Sequence, residues 1–266
     1  VSPTYAAEIC TPEHGMGLDG LLRHRSGVLS GISNGIDTDA WNPATDAHLA
    51  SGFDARHRAR RATNKDALRR RMGLATDPSA PLFVVVSRLA WQKGLDLLLT
   101  ATDRLVASGA QLALIGAGDD ELETGFTAAR GRHPGRVGVV IGYDEGLARL
   151  AQGGGDATLV PSRFEPCGLT QLCAMRYGSI PVVARVGGLA DTVIDGSDAQ
   201  RGAKFGTGLQ FAPVTLDALN TAIDRTVALW REPGAWRRLQ ARAMANDVSW
   251  RKPAAQYAAL YRALVA

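Results

Sequence analysis

Residues 82–99 read LFVVVSRLAWQKGLDLLL. A continuous valine-rich apolar run opens the stretch, a loop with two cations follows, and leucines at helical spacing close it. An unbroken apolar run has the pattern of a strand buried on both faces, as in a parallel sheet. The same unit recurs downstream. Residues 111–115 (QLALI), 137–141 (VGVVI), 157–160 (ATLV) and 180–184 (IPVVA) read as strands, and helical patterns fall at 95–107, 120–130, 145–152, 168–177 and 188–194. Strict β-α alternation predicts an α/β domain with a doubly wound parallel sheet. Right-handed crossovers put the carboxyl ends of all strands on one edge, and ligands of open sheets bind beyond that edge. The loops after the strands are therefore where chemistry is expected.

Outside this core, 27–32 (GVLSGI) looks strand-like, 55–73 (ARHRARRATNKDALRRRMG) is a long charged helical pattern, and 215–245 and 250–265 are amphipathic helices. Trp230, Trp236, Trp250, Tyr257 and Tyr261 are spaced for burial on one side. Gly153-Gly154-Gly155 reads as a turn before the strand at 157.

The composition of the 266 residues is ordinary for a globular protein, with 45% hydrophobic and 21% charged residues. The net charge of +4 is mild, and the arginine clusters at 58–61 and 69–71 read as solvated helix faces, which argues against a nucleic-acid partner. Three cysteines without CxxC or Cys/His spacing argue against a zinc site and fit a reducing cytoplasm. No apolar run approaches membrane-spanning length. The opening VSPTYAAEIC has the look of a strand end, a Ser-Pro turn and a helix start, and is expected to belong to the interior of a folded protein rather than to a signal peptide.

Five loops follow the five strands. In the first, Arg88 comes directly after the strand and Lys93 just before a helix start, where backbone N–H groups and the helix dipole favour an anion. Two solvated cations flanking a turn would give the same pattern. The loop at 161–178 (PSRFEPCGLTQLCAMRYG) offers the N–H groups of Gly168, Leu169 and Thr170, the Thr170 hydroxyl, and the Glu165 carboxylate, which can accept hydrogen bonds from sugar hydroxyls. Pro166 and Gly168 give that loop a specific shape. Gly116 and Gly118 allow close backbone approach or a plain turn, and they lack the third glycine of a dinucleotide fingerprint. Tyr143 suits stacking on a base or a half-exposed core position. The fifth loop, 185–192 (RVGGLADT), again carries two glycines at a helix start. Together these loops describe an anion pocket with one carboxylate in it.

At these positions the chain resembles the bacterial glycogen (starch) synthases that use ADP-glucose. The resemblance is carried by VSPTYAAEI, LSGISNGIDTDAWNPATD, SRLAWQKGLDLLL, LALIGAGDDELE, VGVVIGYDE, LVPSRFEPCGLTQLCAMRYGSIPVV, VGGLADTV, GTGLQF and DVSW, in that order from residue 1 to about 250. It implies the Rossmann-like C-terminal domain of a GT-B type glycosyltransferase, in which two domains face each other across a cleft. Residues 1–31 would be a remnant of the first domain, 32–72 a linker with the charged helix, 73–249 the nucleotide-sugar-binding domain, and 250–266 a helix that crosses back to the first domain and here lacks its partner. By resemblance, Arg88 and Lys93 neutralise the diphosphate leaving group, Glu165 holds the donor glucose, Gly168, Leu169 and Thr170 donate to the phosphate, Tyr143 lies beside adenine, and Gly116, Gly118 and Cys167 complete the nucleotide-sugar site.

The implied reaction moves glucose from ADP-glucose to the nonreducing end of an α-1,4-glucan with retention, using no metal and no other cofactor, with no nucleic-acid or membrane partner. Two departures matter. Related glycosyltransferases often carry a second glutamate where Cys173 stands, and its absence favours the glycogen synthase branch. The lysine-glycine-glycine motif and histidine of the first domain are missing, so the chain is expected to bind ADP but to elongate glucan poorly alone. Alternatives are a transferase using another nucleotide sugar and a non-catalytic nucleotide- or glucan-binding module.

Overall fold

A computed structural model describes residues 1–196 and 206–265. Within the expected domain at 73–249, residues 197–205 lie outside the described residues, as does Ala266 of the expected last helix. Six strands, β1 (Leu82–Val86), β2 (Gln111–Gly116), β3 (Val137–Ile141), β4 (Ala157–Val160), β5 (Ile180–Ala184) and β6 (Leu209–Phe211), form one sheet among the described residues. All neighbouring pairs are parallel, in the order β3-β2-β1-β4-β5-β6. The winding direction reverses between β1 and β4, which pair through Phe83↔Ala157 and Val84↔Thr158. A crevice is expected beyond the carboxyl ends of these two strands. The α/β doubly wound expectation holds, with Rossmann strand order.

In chain order the helices are α1 (Pro3–Glu8), α2 (Asp19–His24), α3 (Arg61–Met72), α4 (Leu95–Ala107), α5 (Asp120–Arg132), α6 (Glu145–Gly154), α7 (Thr170–Tyr177), α8 (Gly187–Thr192), α9 (Leu216–Trp230), α10 (Pro233–Ala245) and α11 (Arg251–Val265). Alternate β1 side chains face opposite layers. Phe83 and Val85 join a core with Leu98 of α4, Phe126 of α5 and Ile223 of α9. Leu82 and Val84 join one with Leu68 of α3 and Leu147 and Leu150 of α6. Strands buried on both faces explain why the sequence shows runs instead of alternation.

Several expectations are corrected. GVLSGI is no strand: Ser26–Val28 is a single 3-10 turn, and residues 29–32 pair with no strand among the described residues. Gly153 and Gly154 are not a turn, because α6 runs through Gly154. All three glycines are bare for packing: a Cβ on Gly153 would strike Leu49, one on Gly154 the Asn64 backbone of α3, and one on Gly155 Val84. The arginine clusters are only partly solvated. Arg61 and Arg69 are buried, with Arg61 Nε donating to the Tyr177 carbonyl at 2.9 Å and Arg69 Nε to Gln111 Oε1 at 2.9 Å. The pattern at 215–245 breaks into α9 and α10, with Pro233 opening the second.

Of the five aromatic residues expected on one buried side, only Trp236 is buried; Trp250 and Tyr261 are exposed. On α11 only Pro253 is buried. Segment 32–60 and α3 pack into the domain: Ile36 enters the main core, and Phe53 packs with Tyr177 and Met244. β6 escaped the sequence reading because it is three residues long and pairs only with β5. Among the described residues no helix is long and apolar enough to cross a membrane.

Candidate functional site

The loops after β1 and β4 are stitched together at the switch point. After β1 the chain makes a 3-10 turn at Trp91–Lys93 and reaches α4 through Gly94, whose φ is 66°. A Cβ there would run into the carbonyl oxygen of Pro161 in the β4 loop. Arg163 donates through its backbone N–H to the Gln92 carbonyl at 2.9 Å. Its guanidinium grips both carboxylate oxygens of Asp96 at 2.6 and 2.7 Å and lies 4.4 Å from the Trp91 ring centroid. That fork holds the Asp96 carboxyl below the usual carboxylate range.

This framework delivers Lys93 to Glu165. Lys93 Nζ lies 2.6 Å from Glu165 Oε2, which also accepts from Ser162 Oγ at 3.0 Å. Glu165 is 6% exposed, and its Oε1 has no partner among the described residues. Its backbone carbonyl accepts from Gly188 N–H at 2.9 Å, which ties the loop to α8. Gly187 N–H donates in turn to Glu8 Oε1 at 2.8 Å, so α1 buttresses the same corner. Gly168, with φ of 68°, turns the chain into α7, and the N–H groups of Gly168, Leu169 and Thr170 make no hydrogen bond among the described residues. Unpaired donors at a helix start, beside a cation, suit an anion.

Two adjoining cavities meet here and share Val86, Ser87, Leu169 and Thr170. The smaller, about 90 Å³, is lined by Lys93, Ser162, Glu165 and Gly168. The larger, about 440 Å³, is lined by Arg88, Gly116, Tyr143, Trp41, Gln152 and Cys173 among others. Arg88 is exposed and reaches Gln92 Oε1 at 3.0 Å. Tyr143 is 77% exposed at the rim. A Cβ on Gly116 would strike the Ser87 carbonyl, so this glycine lets β2 end flush against the β1 loop.

Eight of the ten residues singled out in the sequence thus line these two adjoining cavities. Gly118 and Cys167 lie outside both linings. Gly118 bridges to Leu89 and donates to Glu123 Oε1 at 2.8 Å. Cys167 is buried against Gly188, and burial pushes its thiol up.

Sequence reasoning missed Trp41, Gln152, Ser162 and Gln171. Trp41 comes from a segment read as a linker, and only tertiary structure brings it here. Its ring centroid is 4.2 Å from the Arg149 guanidinium, and the ring meets Tyr177 edge-on at 6.0 Å. Tyr177 donates to Asp46 Oδ2 at 2.5 Å, and burial pushes its hydroxyl up. Gln152 sits in a helical pattern with no outward sign of function. Ser162 could have been found from its place three residues before Glu165.

The arrangement is a cationic, donor-rich junction between an apolar slot and a carboxylate pocket. It can hold a diphosphate at the junction, a flat ring in the slot, and a polyhydroxy group at Glu165.

Residues 66–240 match the family described as glycosyl transferases group 1. The chain is 61% identical over 266 residues to a glycogen synthase of Rhodopseudomonas palustris and 57% identical over 265 residues to one of Methylocella silvestris. The match covers 100% of this chain and 55% of either relative, so the chain spans about half the length of the relatives it matches. The catalytic domain of starch synthase IV from Arabidopsis thaliana, bound to ADP and acarbose, superposes with a TM-score of 0.93 at 38% identity, over 98% of this chain and 54% of that one.

Proposed function

Because the chain belongs to the group 1 glycosyl transferases, with glycogen synthases among its relatives, we propose that it is the nucleotide-sugar half of a cytoplasmic glucosyltransferase that moves glucose from ADP-glucose to an α-1,4-glucan with retention. The observation that carries this reading is the Lys93–Glu165 contact at 2.6 Å beside the unpaired N–H groups that begin α7. The Arabidopsis starch synthase bound to ADP and acarbose supports an ADP donor and a glucan acceptor.

In this reading the diphosphate lies across Ser87, Leu169 and Thr170. Arg88, Lys93 and the backbone donors stabilise charge as ADP departs, which is the larger catalytic contribution expected of the site. Glu165 accepts from glucose hydroxyls through its open Oε1, and Ser162 and Lys93 keep the carboxylate oriented. The acceptor's 4-hydroxyl bonds to the anomeric carbon on the face where the C1–O bond to the diphosphate breaks, and its proton passes to an oxygen of the departing diphosphate. Tyr143 covers adenine at the rim, and Gly116 lets the base lie against the strand end. Gly118 and Cys167 act from behind, as supports of the loops.

Titration calorimetry with ADP, UDP and GDP tests the reading. ADP is expected to bind best, and Arg88→Ala and Lys93→Ala each to weaken it about tenfold or more. A preference for UDP or GDP would replace the donor assignment. No nucleotide binding, with neither substitution having an effect, would remove the site.

A further inference from the structure

Gln152 lies on α6, is 3% exposed, and lines the larger cavity. Its side chain is held from one end. Oε1 accepts from Thr158 Oγ1 at 3.0 Å, and Thr158 Oγ1 is 2.8 Å from Ser179 Oγ. In this arrangement Ser179 donates to Thr158 and Thr158 to Gln152 Oε1, which leaves Nε2 as the other end of the amide. The Gln152 backbone is anchored too, its carbonyl accepting from the buried Arg61 at 3.4 Å.

The other end of the amide is free. Nε2 has no partner among the described residues, and it is not among the side-chain atoms sealed from solvent, as Gln171 Oε1 is. Gln152 itself lines the larger cavity, so that space is the one its unpaired amide end can reach. The surfaces around it are largely apolar or aromatic, from Trp41, Ile115, Ala148 and Cys173. Gln152 is absent from the smaller cavity, where Lys93 and Glu165 sit. An amide donor on the largely apolar wall of this cavity, outside the lining that holds Lys93 and Glu165, is the arrangement that selects how a flat heterocycle sits. A ring edge presenting N–H at that point would set donor against donor and leave both unpaired.

We infer that Gln152 is a specificity-determining residue whose Nε2 donates to a ring acceptor of the bound nucleobase, such as an unsubstituted nitrogen of adenine. This rests on the reading of the cavity as a nucleotide site. Thr158 and Ser179 are positioning residues, acting through the Gln152 carbonyl. Trp41, clamped by Arg149, supplies the flat wall.

The experiment is calorimetry on the described chain with ADP and with ribose 5-diphosphate, which keeps the sugar and both phosphates but lacks the base. Gln152→Met keeps length and removes the donor. It is expected to weaken ADP about three- to tenfold and to leave ribose 5-diphosphate unchanged. Thr158→Val leaves Gln152 in place but unties its carbonyl, and is expected to give a smaller loss for ADP alone. No loss for ADP in either variant, or equal losses for both ligands, overturns the inference. Wild-type protein that prefers UDP would overturn the ADP donor reading instead, and the same comparison of UDP with ribose 5-diphosphate would then decide the role of Gln152.

Discussion

Lys93 and Glu165, 72 residues apart in the chain, meet at 2.6 Å where the loops of β1 and β4 converge. The contact is nearly buried, with 23% and 9% of the two side chains exposed. Removing the cation leaves a buried carboxylate with only Ser162, so Lys93→Ala is expected to cost about 1–3 kcal/mol of stability as well as nucleotide affinity. Glu165→Gln should behave in the opposite sense toward ADP. It takes a negative charge away from the diphosphate and releases Lys93, so ADP binding is expected to be equal or tighter. Calorimetry and thermal melts of both variants check this pair. Weaker ADP binding in Glu165→Gln would mean that the carboxylate orients the phosphate site and does not serve the sugar alone.

Arg163 is the brace that sets this contact. Its two-pronged grip on Asp96 ties the β4 loop to the first turn of α4, next to Lys93. Asp96→Asn is expected to destabilise the fold and weaken ADP binding together. Its pH dependence has a definite sign. The Asp96 carboxyl is held below its ordinary value of 3.8 by the Arg163 hydrogen bonds, so the folded chain holds that proton less tightly than the unfolded chain. The stabilisation is present above 3.8 and is lost as pH falls through the lowered value. Urea melts of wild type and Asp96→Asn should therefore differ at pH 7 and converge only in the most acidic buffers. A gap that closes near neutrality would assign the effect to another group.

Gly94 joins the same two loops by geometry alone. Its φ of 66° is left-handed, and the Pro161 carbonyl fills the place of a side chain. Gly94→Ala is expected to cost at least the roughly 1–2 kcal/mol of a left-handed residue, with the clash added. Because the loops would part, ADP affinity should fall by more than the change in stability explains at temperatures where the variant is folded. Affinity unchanged at full folding would show that the loops can separate without disturbing Lys93.

The loops that bear the site were legible because strand runs and helix spacings are local patterns, and the topology then forces Arg88, Lys93, Glu165 and Thr170 to one edge. What stayed hidden depends on distant packing. Trp41 has no neighbour in sequence that marks it, and it enters the cavity because Arg149 and Tyr177 hold it there. Arg61 and Arg69 look like surface charge, yet their guanidinium groups satisfy the Tyr177 carbonyl and Gln111 inside the fold. The three glycines at 153–155 look like a turn because bare backbone usually marks one. Here they admit Leu49, Asn64 and Val84 to close approach.

Cys173 gives a direct probe of the larger cavity. It lines the space with 5% of its surface exposed, and burial pushes its thiol up to about 12. Only a thiolate attacks an alkylating agent, and burial keeps that form scarce at Cys173 near neutral pH. The half-exposed Cys10 is expected to take iodoacetamide first, with Cys173 labelled slowly and faster as pH rises. ADP should slow labelling at Cys173 further while leaving Cys10 unchanged, which peptide mapping by mass spectrometry can read site by site. Protection at Cys173 that also appears with ribose 5-diphosphate would place the sugar, not the base, against this wall. Equal protection of both cysteines would point to a general tightening of the fold.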